Sequence, residues 1–191
     1  RKSDVPIYFL DTSKDMNEWR DVTRNLYDDS YRLQQQAVLG IAGGRLLQEL
    51  GYDIKTYHMQ EGHSGLVVEV LFNQWGDMEK VREHCVFTLH SPVAGNDSHD
   101  YGDVRHVVGD LPSKVLKLAE ENGRFSPGKL GLNSGRYVNA VSKQHGETCK
   151  QMGYTVDYIT NGVHSYTWMS EPHQQLYDKE IPEWRDDPAN L

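Results

Sequence analysis

Short apolar runs rich in strand formers alternate with segments of helical periodicity along most of the chain, and this alternation constrains the fold more than any other feature. Residues 5–12 (VPIYFLDT) read as a buried parallel strand that stops at Asp-Thr. In YRLQQQAVLGIAGGRLLQELG, Leu33, Ala37, Ile41 and Leu47 fall at mostly helical intervals and Leu50 precedes a terminating Gly51, which predicts a helix. DIKTYHMQ then reads as a strand, SGLVVEVLFNQW as a helix, and HCVFTLHS as a strand closed by Pro92. The second half keeps the rhythm, with a helix in PSKVLKLAEENG, a strand in RYVNAVS, a helix in KQHGETCKQMG ending at Gly153, and a last strand in TVDYIT. Strands separated by helices pair in parallel through crossovers, so the predicted class is α/β, a doubly wound, mostly parallel sheet. Residues 1–170 are read as this α/β lobe. Residues 171–191, with Pro172, Pro182, Pro188 and many charges, are read as a surface or connecting tail.

Charge and cysteine content exclude several function classes. The chain carries 20 basic against 28 acidic side chains, a formal net charge of -8, whereas nonspecific binding to nucleic acid or an anionic membrane needs a basic surface. Its two cysteines, Cys85 and Cys149, form no CxxC pair and are too few for a disulfide framework, which points to a reducing compartment. No stretch reaches the roughly 18 apolar residues of a membrane span and no signal sequence opens the chain, so a cytoplasmic location is expected. It begins at Arg1, without a Met, close to an apolar run, and is expected to be a piece of a longer chain.

In a parallel sheet of this kind, ligands sit beyond the carboxyl ends of the strands. HMQEGHSG, LHSPVAGNDSHD and TNGVHSYTW each follow a predicted strand and are expected to converge there. Nine histidines invite a metal reading, yet none belongs to HExxH, a Cys/His knuckle or a tight Asp cluster, and no metal is expected. His58 and His90, at strand ends, are as well explained by burial against backbone as by a ligand role. There is no GxSxG, and neither cysteine stands where its thiolate would be favoured. The glycines of GIAGGRL lie inside a helical pattern without the Lys-Ser/Thr of a phosphate loop, which favours close helix packing. What remains is a sugar-type site, with Gln60, Glu61, His63, Asn139, Asn161 and His164 as hydrogen-bonding groups and Tyr137, Tyr166 and Trp168 for the apolar faces of pyranose rings.

Four segments then carry a resemblance. YHMQEGHSGLVVEVL, CVFTLHSPVAGNDSHD, GRYVNAVSKQHGE and YITNGVHSYTW resemble, in the same order and at similar spacings, the YHLNEGH, VFTTHTPVPAGHD, VNGVSKLHGE and ITNGVHVPTW segments of α-glucan (glycogen, maltodextrin) phosphorylases of the shorter bacterial and archaeal type. RNLYDDSYRLQQQAVLGIAGGRLLQELGYD is also similar to that family, so the resemblance runs from Val5 to about Pro172. It implies a Rossmann-like lobe of a glycosyltransferase-B fold, of which this chain is part of the amino-terminal lobe. It further implies retaining phosphorolysis of α-1,4-glucan by inorganic phosphate to glucose 1-phosphate. Pyridoxal phosphate is implied for the parent enzyme, its lysine and the phosphate clamp lying outside this chain. Carried over by position, the resemblance gives Gln60, Glu61, His63, Arg136, Asn139, Asn161 and His164 as substrate-binding residues and Asp28 and Asp29 as an acidic gating loop, with Trp168 anchoring the turn after Asn161. No catalytic residue is assigned to this chain. Gln60 stands for the family Asn, Ala140 for a Gly and Tyr166 for a Pro, and HSPVAGNDSHD carries added residues, which leaves substrate preference open. A nucleotide-sugar glucosyltransferase of the same architecture and a noncatalytic glucan-binding module are the alternatives, and a homo-oligomer is compatible with the sequence.

Overall fold

The computed structural model describes residues 5–14, 18–91, 97–181 and 183–187. Four parallel strands, β1 (Tyr57–Gln60), β2 (Cys85–Leu89), β5 (Tyr137–Ala140) and β6 (Asp157–Tyr158), form a sheet in the order β1-β2-β5-β6. A separate antiparallel pair, β3 (Glu120–Glu121) and β4 (Arg124–Phe125), turns through Asn122 and Gly123. The α/β class expected from the alternation is the one observed.

The first long helix forms where predicted but is not uniform. α1 (Arg32–Ala37) widens into a π turn over Val38–Ala42 and resumes as α2 (Gly43–Glu49), ending at Gly51 with φ of +71°. The wide turn coincides with a close helix contact. A Cβ on Gly40 would lie 2.8 Å from Leu66 Cβ, and one on Gly44 would lie 3.0 Å from a Val67 methyl. These glycines therefore pack α1 and α2 against α3 (Val67–Trp75), as their position inside a helical pattern suggested.

The remaining helices are α4 (Met78–His84), α5 (Tyr101–Val108), α6 (Ser113–Ala119), α7 (Pro127–Ser134), α8 (Lys143–Gln151), α9 (Ser165–Trp168) and α10 (Glu171–Glu180). The helices of the first unit, α1 to α8, enclose with the sheet a core of Met59, Leu66, Val68, Leu71, Val81, Phe87, Leu89, Val115, Phe125 and Leu130. β2 lies at its centre, buried at four of its five residues, which suits an interior parallel strand. Glu69 is the exception in this apolar setting. It is 7% exposed, and desolvation raises its pKa although Arg45 and an Asn73 hydrogen bond oppose the shift. A carboxyl whose pKa is raised in the folded state stabilises below its unfolded pKa and loses that contribution as pH rises. Glu69→Gln is therefore expected to raise the melting temperature at pH 7, with the gain shrinking as pH falls through the ordinary glutamate range in paired thermal melts.

Two expectations are corrected. Residues 5–12 are not a buried strand: Val5, Ile7 and Phe9 are 74%, 75% and 89% exposed, and no backbone ladder joins them to the sheet among the described residues. The run keeps strand-like alternation, since Tyr8 and Leu10 line a cleft with Thr56, His58, Met59 and Leu39 beside β1. The segment after Ser170, read as a surface or connecting tail, contains α10, started by Pro172 in the first turn. Trp168 does not anchor its turn, because it is 80% exposed. Pro92, expected to close β2, lies outside the described residues.

The chain divides into two compact units, residues 1–159 and 160–191. In the second, Trp184 is 1% exposed and donates from Nε1 to Asp178 at 2.9 Å, with Tyr166 and Tyr177 around its ring. Asp178 also takes two bonds from Arg185, whose guanidinium stacks 4.2 Å from the Tyr166 ring centroid.

Candidate functional site

The parallel register sets side chains from three strands in one row at the carboxyl end of the sheet. Gln60 pairs with Thr88, and Thr88 with Asn139. Successive side chains alternate faces, so His58 and Gln60 share a face while Met59 enters the core. The Thr88 hydroxyl donates to Asn139 Oδ1 at 3.0 Å and lies 2.7 Å from His58 Nε2. The Gln60 amide then spans His58 Nε2 at 3.0 Å and His90 Nε2 at 2.8 Å. Asn139 and Thr88 are buried and Gln60, His58 and His90 are exposed, so the row has a fixed inner end and an open outer end.

Glu61 turns the chain out of β1 at φ 56° and ψ -178°, a conformation rare outside glycine. Three hydrogen bonds hold it there. Its backbone N–H donates to Thr88 O at 3.0 Å, and its carboxylate accepts from the N–H of His90 and, at 2.6 Å, from that of Ser91. One carboxylate oxygen is thus committed to the loop leaving β2, and the loops after β1 and β2 are tied together. The next turn, Gly62–Ser64, lies on the start of α7 with Gly65, where a Cβ on Gly62 would come 2.9 Å from Gly128 N.

His63 follows Glu61 in that turn. Its ring meets Tyr27 edge-on at 5.4 Å, and its Nδ1 is 3.9 Å from Asp97 Oδ2. Gln60 and His63 also border a cleft of about 400 Å³ whose walls include Tyr8, Phe9 and Tyr27. Asp28 caps the short turn Asp29–Tyr31 by accepting from Ser30 N–H at 2.9 Å, and Asp29 pairs with Arg32 at 3.1 Å.

One residue expected at the site, Arg136, lies at the other end of the sheet. Arg136 precedes β5, and its guanidinium donates to Glu83 O and to Thr56 Oγ1 at 3.1 Å, both at the amino ends of the strands. Its side chain is thus separated from Asn139 by the length of the strand, because Asn139 stands near the carboxyl end. A larger cleft, about 610 Å³, surrounds Arg136 with Lys129, Tyr137, Tyr154 and Asp157. The carboxyl-end group is the better candidate despite that volume, since the loops of a parallel sheet bring side chains from separate strands together there. Asn161, Gly162 and His164 belong to the second unit, where His164 Nδ1 lies 2.6 Å from Thr167 Oγ1.

Residue-by-residue reasoning left His58 and His90 open between burial and a ligand role and did not single out Thr88. Their signal was the strand period combined with the register, which needs the sheet order to be read. Burial pushes the Cys85 thiol up to about 12 and raises that of Cys149, so neither is a nucleophile at neutral pH. Among the described residues no group of three or more His, Cys, Asp or Glu is arranged to hold a metal ion. No described helix is long and apolar enough to cross a membrane.

The chain is 32% identical to the maltodextrin phosphorylase of Thermococcus litoralis over 95% of its length, and 32% identical to the glycogen phosphorylase of Aquifex aeolicus over 93%. This chain is a relative of the glycogen and maltodextrin phosphorylases. It is also 36% identical over 85% of its length to the uncharacterized protein MJ1631 of Methanocaldococcus jannaschii. No protein-family model matches it. The chain spans 26%, 30% and 33% of these three proteins in the order maltodextrin phosphorylase, glycogen phosphorylase and MJ1631. With phosphorylase kinship established, the parallel layer flanked by helices is the Rossmann-like lobe of a glycosyltransferase-B fold.

Proposed function

We propose that this chain supplies the glucose-subsite side of the cleft of an α-glucan phosphorylase, in which inorganic phosphate cleaves the terminal α-1,4-linked glucose and releases glucose 1-phosphate with retention. The observation that carries the reading is the linked row His58–Thr88–Asn139 with Gln60 and His90, drawn from three adjacent strand ends. Amide and imidazole edges fixed by one another are suited to the paired hydroxyls of a hexose, because their geometry is set before the sugar arrives. Glu61 shapes this edge by tying the two loops, and His63 stands next to it. Asp28 and Asp29 form the gating turn, and by the resemblance Asn161 and His164, on the second unit, are substrate-binding residues in their own right. Arg136 braces the amino ends of the strands instead of meeting the sugar.

Pyridoxal phosphate belongs, in this reading, to the remainder of the parent enzyme. The described lysines do not fit an attachment point: all are exposed except Lys129, which lies over the Tyr154 ring at 4.8 Å. What this lobe contributes is positioning. Stabilisation of the developing charge at the anomeric carbon needs groups from both lobes within hydrogen-bond reach. The partners are therefore α-1,4-glucan, phosphate, glucose 1-phosphate and the other lobe.

The test is glucose 1-phosphate release from maltodextrin and phosphate. The intact parent enzyme is expected to release it, and this chain alone, even with added pyridoxal phosphate, is expected to release none. An intact parent that transfers glucose only from a nucleotide sugar, without Schiff-base absorbance, would replace this reading with that of a glucosyltransferase.

A further inference from the structure

Behind His63 lies a group of polar side chains, Gln36 among them fully buried, that the sugar row does not use. Gln36, on α1, is 1% exposed, so both ends of its amide must be satisfied internally. His99 is locked in place by backbone bonds to Phe125 in both directions, at 2.8 and 2.9 Å. Burial lowers the His99 pKa, with Arg124 and Arg32 adding to the shift and Asp97 and Asp103 opposing it, so the ring is neutral and carries one N–H. Its Nε2 lies 2.8 Å from Gln36 Oε1, an atom that only accepts, which puts the His99 proton on Nε2. The Gln36 amide is thereby oriented, and its NH2 donates to Asp97 Oδ2 at 3.4 Å. The Asp97 carboxylate also faces Arg32 Nε at 3.7 Å and His63 Nδ1 at 3.9 Å. Arg32 Nε is buried and makes no hydrogen bond among the described residues, so the Asp97 carboxylate bonds the Gln36 amide and lies at ion-pair distance from Arg32 and His63.

We propose that Gln36 and Asp97 are positioning residues for His63: Gln36, oriented by His99, holds the Asp97 carboxylate on the Nδ1 side of the His63 ring, where its charge favours a proton on Nδ1 and leaves Nε2 as the ring nitrogen available to a ligand. A carboxylate behind an imidazole fixes both its tautomer and its ring direction. The value of this arrangement to the enzyme rests on the reading of His63 as a sugar-binding residue, but the arrangement itself does not.

Long-range 1H–15N correlation of the imidazole rings in the chain tests it without a sugar. His99 is expected as the Nε2–H tautomer and His63 as the Nδ1–H tautomer. In Asp97→Asn and in Gln36→Leu, His63 should change to a mixture in which the Nε2–H form predominates, while Gln48→Leu on the exposed helix face changes neither ring. Asp97→Asn preserves size and leaves the buried Gln36 in place, so the result does not depend on Gln36→Leu folding. A His63 that keeps one tautomer in both variants, or that is already mixed in the unmodified chain, overturns the proposal. A tautomer change accompanied by unaltered maltoheptaose binding in His63→Ala would uphold the positioning and remove His63 from the sugar site.

Discussion

Glu61→Ala is expected to destabilise the first unit by about 2 kcal/mol and to weaken maltooligosaccharide binding by the intact enzyme at least about tenfold. The stability loss has one source. Alanine keeps the unfavourable φ of 56° and removes the carboxylate that accepts from His90 and Ser91 N–H, and hydrogen bonds to a charged group contribute roughly 1.5–3 kcal/mol. Glu61→Gly separates strain from bonding. Glycine adopts this backbone without penalty, relieving roughly 1–3 kcal/mol while losing the same bonds, so its net effect on stability is expected to be near zero. Both variants free the loop after β2, and both are expected to lose affinity. Urea unfolding of the two variants side by side is the check. Equal destabilisation by alanine and glycine would mean that the turn at Glu61 is not strained.

The second large effect is at Gly65. A Cβ there would run into the carbonyl of Pro127, a backbone group at the first turn of α7 that cannot rotate away. Overpacking of this kind costs typically 1–3 kcal/mol and more when backbone must move, against a gain of at most about 1 kcal/mol from the reduced freedom of the unfolded chain. Gly65→Ala is therefore expected to lower stability by about 2–3 kcal/mol. It also pushes the turn carrying Glu61 and His63 off α7, so affinity should fall with stability. An alanine variant with an unchanged unfolding midpoint would show that α7 does not support the turn.

These two positions show what the sequence made legible. The helix over residues 32–49 and the packing role of its glycines could be read because periodicity and glycine placement are local signals. α7 escaped notice because PGKLGLNS is rich in turn formers. It forms because Ser126 caps it, accepting from Lys129 N–H at 3.1 Å, and because Gly131 lets it lie on the Phe87 ring, a tertiary gain that outweighs weak helix propensity. Residues 5–12 illustrate the reverse case, since strand-forming composition reports backbone preference and says nothing of a neighbour to pair with. Trp168, expected to anchor its turn, is exposed, while Trp184, for which the sequence offered no role, is buried. Only the Asp178 acceptor and the Tyr166 and Tyr177 rings explain why the second is buried.

At the site, Gln60, Glu61 and Asn139 were legible as polar residues beside strand ends, and the structure joins them through Thr88, His58 and His90. His58 and His90 were left evenly balanced between burial and a ligand role, and Thr88 was not singled out, because a strand residue acquires its cross-strand neighbour only when register is known. The position of Arg136 follows the same rule: one residue before a strand is the far end of the sheet from its last residue.

The central claim is that the carboxyl ends of β1, β2 and β5 receive a glucose unit. Mapping backbone and side-chain amide shifts of the chain by 15N NMR during a titration with maltoheptaose tests it most directly. Saturable shifts concentrated at Gln60, Glu61, His90 and Asn139 are predicted; shifts gathered instead around Lys129, Arg136 and Tyr154, at the amino ends of the strands, would contradict it.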